Sequence, residues 1–362
     1  MIVVIGAGVV GLASALALAR RGRAVTVLER QRRPGSGAST RNSGVIHAGL
    51  HHPPDSLKTR LCIEGRERLY TLARARGVPH VRSGKLIVAR AGEEAELDAV
   101  ARRARANGVA IVEVDRAMVA KREPHVAAVA GLLSPESGWI DAEGFVRVLA
   151  GDVARADGVL LPGTAPIAIE PARGGGVTVV TPAERIEADA VVNAAGLYAD
   201  DVSALAGGEA FTIYPCRGEY AELALRARAL VNGPVYPVPH HSGHGLGVHL
   251  TRLLDGSVWI GPTIRYQTDK ADYEGDRLPV EAFLEPARAL VPALTLSDLR
   301  LGGCGIRAKL HPASERYADF LIRRDVRNPC LVHAAGIDSP GLTASLAIGE
   351  RVAKLCIGLL DD

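Results

Sequence analysis

The chain opens on an apolar run, Ile2-Val3-Val4-Ile5, followed by Gly6-Ala7-Gly8-Val9-Val10-Gly11, a helical stretch over 12–21, and a second apolar run, Val25-Thr26-Val27-Leu28, ending on Glu29. This order predicts strand, glycine turn, helix, strand. Helical spacing of apolar residues recurs over 57–76, 93–107 and 142–156, each stretch closed by a glycine-containing segment that can end a helix. Residues 188–196, Ala-Asp-Ala-Val-Val-Asn-Ala-Ala-Gly, predict a buried strand running into small residues. Between 211 and 301 the pattern becomes strands and turns, as in Val248-His249-Leu250-Thr251, Asp255-Gly256-Ser257 and Val258-Trp259-Ile260, which predicts an antiparallel sheet. From 330 to 357 the chain returns to strand, glycine loop and helix.

The opening unit is built to hold a dinucleotide. Gly6 permits the tight turn, Gly8 lets backbone approach a pyrophosphate, and Gly11 lets the helix pack closely on the sheet. The phosphates are then expected at the positive end of the helix that follows. Glu29, at the end of the second strand, can accept hydrogen bonds from a ribose diol.

At 362 residues the chain exceeds one ordinary core, so two domains are expected. With 43 basic against 40 acidic residues and no long Lys/Arg run, nothing suggests a nucleic-acid partner. Five cysteines without a CxxC pair argue against disulfides or zinc and for a reducing setting. With a strand starting at Ile2 and no apolar run of membrane-spanning length, a soluble, cytoplasmic protein is expected, with peripheral contact at the inner face of the membrane as a further expectation.

After Glu29 the chain does not build a second mononucleotide half, which disfavours a nicotinamide enzyme. It gives instead a small-residue loop, Gly35-Ser36-Gly37-Ala38-Ser39-Thr40-Arg41-Asn42-Ser43-Gly44. With the Ala194-Ala195-Gly196 strand end and Gly336-Ile337-Asp338-Ser339-Pro340-Gly341-Leu342-Thr343, this resembles the FAD-dependent D-amino-acid oxidase superfamily. Further words, including Val45-Ile46-His47-Ala48-Gly49, Arg217-Gly218-Glu219-Tyr220, Tyr236-Pro237-Val238-Pro239, Gly247-Val248-His249-Leu250-Thr251 and Gly305-Ile306-Arg307, are most similar to its L-2-hydroxyglutarate dehydrogenase/oxidase group. The resemblance implies an α/β fold: a Rossmann-type FAD-binding domain over 1–83, 135–210 and 302–362, with an inserted substrate domain of antiparallel sheet plus helix over 84–134 and 211–301. It implies non-covalent FAD held by Gly6, Gly8, Val9, Val10, Gly11, Glu29 and Arg30; by Thr40, Arg41, Asn42, Ser43, Gly44 and His47; by Ala195, Gly196 and Arg307; and by Asp338, Ser339, Gly341, Leu342 and Thr343. The chain departs from the group at His51-His52, where the group usually has an aromatic pair, and in the histidine-rich segment around His240, His241 and His244. The latter lacks an acid or cysteine at metal spacing and is expected to be a loop; no metal is expected.

A flavin enzyme that oxidises carbon beside a carboxylate needs a carboxylate clamp, a base, and a positive field near the flavin. Arg307 resembles the superfamily clamp, and its guanidinium suits two parallel hydrogen bonds. Lys309, two residues on in a strand, would face the same side and meet a second acid group. His249 is the first candidate base. His47 is the second, with a field-setting role or covalent flavin attachment as alternatives, and the resemblance places Tyr236 with the substrate. The expected substrate is a small 2-hydroxy acid of the L-2-hydroxyglutarate kind, with oxygen or a quinone reoxidising the flavin. An amino-acid or secondary-amine oxidase is the first alternative, and a flavin-binding electron-transfer subunit the second.

Overall fold

A computed structural model describes residues 1–239 and 247–360. The strand Ile2–Ile5 lies inside a six-stranded sheet ordered Leu321–Arg324, Leu331–Ala335, Ala190–Asn193, Ile2–Ile5, Val25–Glu29, Val159–Pro162. All neighbours are parallel except the first pair. Alternate residues of a strand point to opposite faces, and both faces here are covered. Ile2 and Val4 join a core with the helices Val9–Ala19, Leu57–Arg76, Ala142–Arg155 and Gly341–Leu360. Val3 and Ile5 join another with Ile169, Val179 and Ile186 of a three-stranded antiparallel sheet. This explains why the opening run is apolar at every position rather than at every second one.

The expected 188–196 strand divides in two. Arg185–Ala188 ends the three-stranded sheet, and Ala190–Asn193 enters the six-stranded one. The first helix also begins one turn earlier than its apolar spacing suggested, at Val9, because residues of the glycine turn already adopt helical backbone.

A second, nine-stranded sheet carries the other cores. It takes Lys85–Ala89, Val112–Asp115 and Ala130–Ser134 from the earlier insertion, and Tyr214–Leu223, Val235–Pro237, His249–Arg252, Val258–Gly261 and Arg265–Tyr266 from the later one. Its pairings are antiparallel except Lys85–Ala89 against Val235–Pro237, which are parallel. The strand Leu299–Lys309 also belongs to this sheet, along Tyr214–Leu223. The boundary expected at residue 302 therefore falls inside a strand of the large sheet, and Arg307 and Lys309 are carried by that sheet. No helix among the described residues is long and apolar enough to cross a membrane.

Candidate active site

A cavity of about 1190 Å³ runs between the glycine turn and the large sheet, beyond the ~300–1,000 Å³ usual for a small-molecule pocket. At one end, Gly6 has φ of +105°, and a Cβ there would stand 2.4 Å from the carbonyl oxygen of Ala194. Gly8 is the extended N-cap of the helix Val9–Ala19 and has no side chain to cap it. Ser39 Oγ instead accepts the Val9 N–H at 3.0 Å, and a Cβ on Gly8 would lie 2.9 Å from that oxygen. Gly6, Gly8, Val9 and Val10 reach the cavity. Gly11 does not; it packs on the turn, where a Cβ would meet Gly6 O at 1.8 Å.

Glu29 is fixed by the backbone, one carboxylate oxygen accepting Ala7 N–H and the other Gln31 N–H, each at 2.8 Å. Each oxygen keeps a lone pair for a ligand hydroxyl. Arg30 lies 3.6 Å from the centre of the Tyr198 ring, just beyond Ala195 and Gly196, and all of these border the cavity. In the small-residue loop, Arg41, Asn42 and Ser43 border the cavity, while Thr40 and Gly44 shape the loop from outside it. Thr40 Oγ1 donates to Gly35 O at 2.8 Å, and Gly44, at φ +64°, abuts Ile140 O. Asn42 bridges the loop, donating to Ala38 O and accepting Gly44 N–H, each at 2.8 Å. These residues fit a dinucleotide: the cradle is closed to any Cβ, begins a helix, and has an anchored acid at its far end.

At the other end, Asp338, Ser339, Gly341 and Leu342 border the cavity, and Thr343 is buried behind His47, accepting its backbone N–H at 3.0 Å. The His47 ring lies 3.3 Å from Ser339 Oγ. Burial, and then the neighbouring Lys85, push His47 down to about 3. His249 stacks on Tyr236 with ring centres 3.7 Å apart, and its Nδ1 lies 3.2 Å from Thr251 Oγ1, which also bonds the Tyr236 hydroxyl. Burial, Lys85, His47 and Arg307 all hold His249 well below the usual histidine range. Both imidazoles are thereby biased toward the neutral form, which keeps a ring-nitrogen lone pair. Arg307 sits opposite Cys216 in the ladder, donates to Thr263 O at 3.2 Å, and occupies the space left by the missing side chain of Gly218.

Lys309 borders the same cavity but is not an unpaired cation. Asp338 takes it at 3.5 Å and Lys58 at 2.7 Å, all three largely buried. Lys58 is aimed there by the start of its helix, where Asp319 accepts the N–H groups of Leu57 and Lys58. Lys309, expected to meet a second acid group of the substrate, is therefore met by an acid of the chain itself: long-range Asp338, invisible in the local strand pattern, already neutralises part of its charge. Asp338, expected at the flavin, spends its carboxylate on these lysines.

Sequence reading passed over Lys85, whose one signal was a charge opening the apolar strand Lys85–Ala89. His51 and His52 both border the cavity. The segment containing His240, His241 and His244 lies outside the described residues. Elsewhere Glu209, Asp325 and His333 cluster with ligand atoms within 4.8 Å, but both oxygens of Asp325 already accept N–H donors from Glu209, Arg327, Asn328 and His333. All five cysteines are free.

The family model "FAD dependent oxidoreductase" matches residues 1–355. The chain is 35% identical to the mitochondrial L-2-hydroxyglutarate dehydrogenase of Arabidopsis thaliana, over 97% of this chain and 82% of that protein. It is 31% identical to the mitochondrial L-2-hydroxyglutarate dehydrogenase of Homo sapiens, over 97% and 87%. Among solved structures, dithionite-reduced L-α-glycerophosphate oxidase of Mycoplasma pneumoniae with FAD bound superposes with a TM-score of 0.89 at 28% identity, covering 98% of this chain and 94% of that one. With a glycine cradle, an anchored acid and a histidine- and arginine-lined far end in one cavity, the chain belongs to the FAD-dependent oxidoreductase family, and FAD is its cofactor.

Proposed function

We propose that the protein oxidises the α-carbon of L-2-hydroxyglutarate, or a closely related 2-hydroxy dicarboxylate, to the 2-oxo acid. The observation that carries this is the meeting of Arg307, His249 and His47 on one cavity wall region beyond the dinucleotide cradle, in a chain whose relatives are named for that substrate. Bound FAD supplies the hydride acceptor. Arg307 holds the carboxylate beside the reacting carbon, and its planar fork fixes the orientation of that carbon. His249 takes the hydroxyl proton. With Nδ1 turned to Thr251, Nε2 is the nitrogen left to accept it, and the stacked Tyr236 keeps the ring from turning away. His47, tied to Ser339 and Thr343, stands second as acceptor.

The α-carbon loses a hydride and the hydroxyl a proton, so no oxygen enters the product. Oxygen or a membrane quinone then reoxidises the flavin, and a quinone would bring the protein to the inner face of the membrane. The free thiols support a reducing, cytoplasmic setting. Anaerobic flavin bleaching tests the reading: L-2-hydroxyglutarate should reduce the flavin faster than L-lactate, glycine, sarcosine or D-amino acids. A faster amine overturns it in favour of CH–NH oxidation.

A further inference from the structure

Five basic side chains are buried among the described residues: Lys58, Arg66, Lys85, Arg217 and Lys309. Four have carboxylates. Lys58 and Lys309 share Asp338, Arg66 meets Glu136 at 2.6 Å, and Arg217 meets Glu219 at 3.1 Å. Lys85, 1% exposed, has none. Its Nζ lies 3.0 Å from Nε2 of His51 and 4.5 Å from the centre of the Tyr236 ring. A buried cation without a counter-ion is costly, and such groups are normally paired.

The sheet explains the placement. Leu86 and Val88 face one core, while Ile87 and Ala89 face the other, together with Tyr236, Ala48 and Leu50. Lys85 shares the parity of Ile87 and Ala89. Its amine is thereby directed at the segment that carries His51. That residue borders the cavity, and its backbone carbonyl accepts Arg103 at 3.1 Å. When the Lys85 ammonium donates to Nε2, the ring proton sits on Nδ1, which has no protein partner among the described residues. An N–H donor backed by a cation is a carboxylate receptor.

Resting on the dicarboxylate reading above, we infer that His51, positioned from behind by the Lys85 ammonium, is the specificity-determining contact for the carboxylate far from the reacting carbon. Arg307 receives the near carboxylate. His249 stands within electrostatic reach of both Lys85 and Arg307, as a base between two anion-binding points must. The pair Lys58 and Lys309 then acts chiefly as a structural clasp on Asp338. His51 occupies one of the two positions where this chain departs from the aromatic pair of the group it resembles, so the contact is a property of this chain.

The test compares glutarate with butyrate, dicarboxylate and monocarboxylate of similar reach, by their dissociation constants from the holoenzyme, read as perturbation of the flavin absorbance. Wild type should prefer glutarate, and His51→Phe and Lys85→Met should each cut that preference by about 10- to 100-fold, the range for a hydrogen bond to a charged group. Using the ratio removes any general loosening of the pocket. A pH series separates positioning from mere structure. The groups facing Lys85 are Cys62, pushed up to about 12, His47, down to about 3, His51 and His249, both lowered, and Tyr236, raised. Burial brings Lys85 itself down to about 7. The glutarate preference of wild type should therefore fall as pH rises through neutrality, and that slope should vanish in His51→Phe. Preference and slope retained in both variants overturn the inference while leaving the dicarboxylate reading intact, and loss of preference only in Lys309→Met transfers the role to Lys309. A wild-type enzyme with no preference for glutarate overturns the dicarboxylate reading and this inference with it.

Discussion

Thr343 Oγ1 accepts the backbone N–H of His47 at 3.0 Å and lies 3.4 Å from the carbonyl of Val45, so the first turn of the last helix holds the strand Val45–Ile46 and the histidine after it. Expected at the flavin, Thr343 instead acts through His47. Thr343→Val keeps the shape and removes both polar contacts, leaving the His47 N–H buried without a partner. Holoenzyme stability should fall by about 1–3 kcal/mol, and Thr343→Ser should restore it. Equal denaturation midpoints for Val and wild type would show that the bond is not needed.

A Cβ on Gly8 would stand 2.9 Å from Ser39 Oγ, so any side chain there must push Ser39 aside. Gly8→Val should abolish FAD uptake, measured by quenching of flavin fluorescence on mixing with apoprotein, because the branched side chain displaces Ser39 and fills the pyrophosphate approach. Heat denaturation of wild type should release free, non-covalent flavin. Colour that stays with the precipitate would contradict the second expectation, and tight FAD binding by the variant the first.

Arg307 rests in a space made by Gly218, held by one carbonyl. Arg307→Ala should retain the flavin and lose about 2–5 kcal/mol in kcat/KM, as when one partner of a desolvated charge pair is deleted. Arg307→Lys should recover part of that, since an ammonium cannot make the bidentate pair. Unchanged kinetics in the alanine variant would remove Arg307 from the carboxylate.

His249 is stacked and hydrogen-bonded in a way that leaves one nitrogen free. His249→Ala should slow anaerobic flavin reduction by a factor of ~10²–10⁴ with the bound-flavin spectrum preserved. If His47→Ala alone has this effect, the base is His47; if neither variant slows reduction, the proton leaves by another route.

Much of this protein was legible from local pattern. The helix expected over 57–76 is Leu57–Arg76, with Ser56 as its cap, and the opening strand, turn and helix lie where the glycines and apolar runs put them. The small-residue loop, the carboxyl-terminal glycine loop and His47, His249, Tyr236 and Arg307 all reach one cavity, as their motifs implied. Periodicity and turn chemistry act over a few residues, so they survive in the order of letters.

What the sequence by itself determined is the set of elements and the residues equipped for flavin chemistry. Tertiary structure decided which of them are free to act. Lys309 reads as a spare cation until Asp338 and Lys58 close around it, and Lys85 gains its place only when the parity of its strand buries it behind His51. Thr343, Thr40, Gly11 and Gly44 read as ligand contacts but lie behind the cavity wall and brace its backbone. The reason is physical. Pairing and desolvation depend on which distant segments a strand or helix faces, and no local period in the chain encodes that distance.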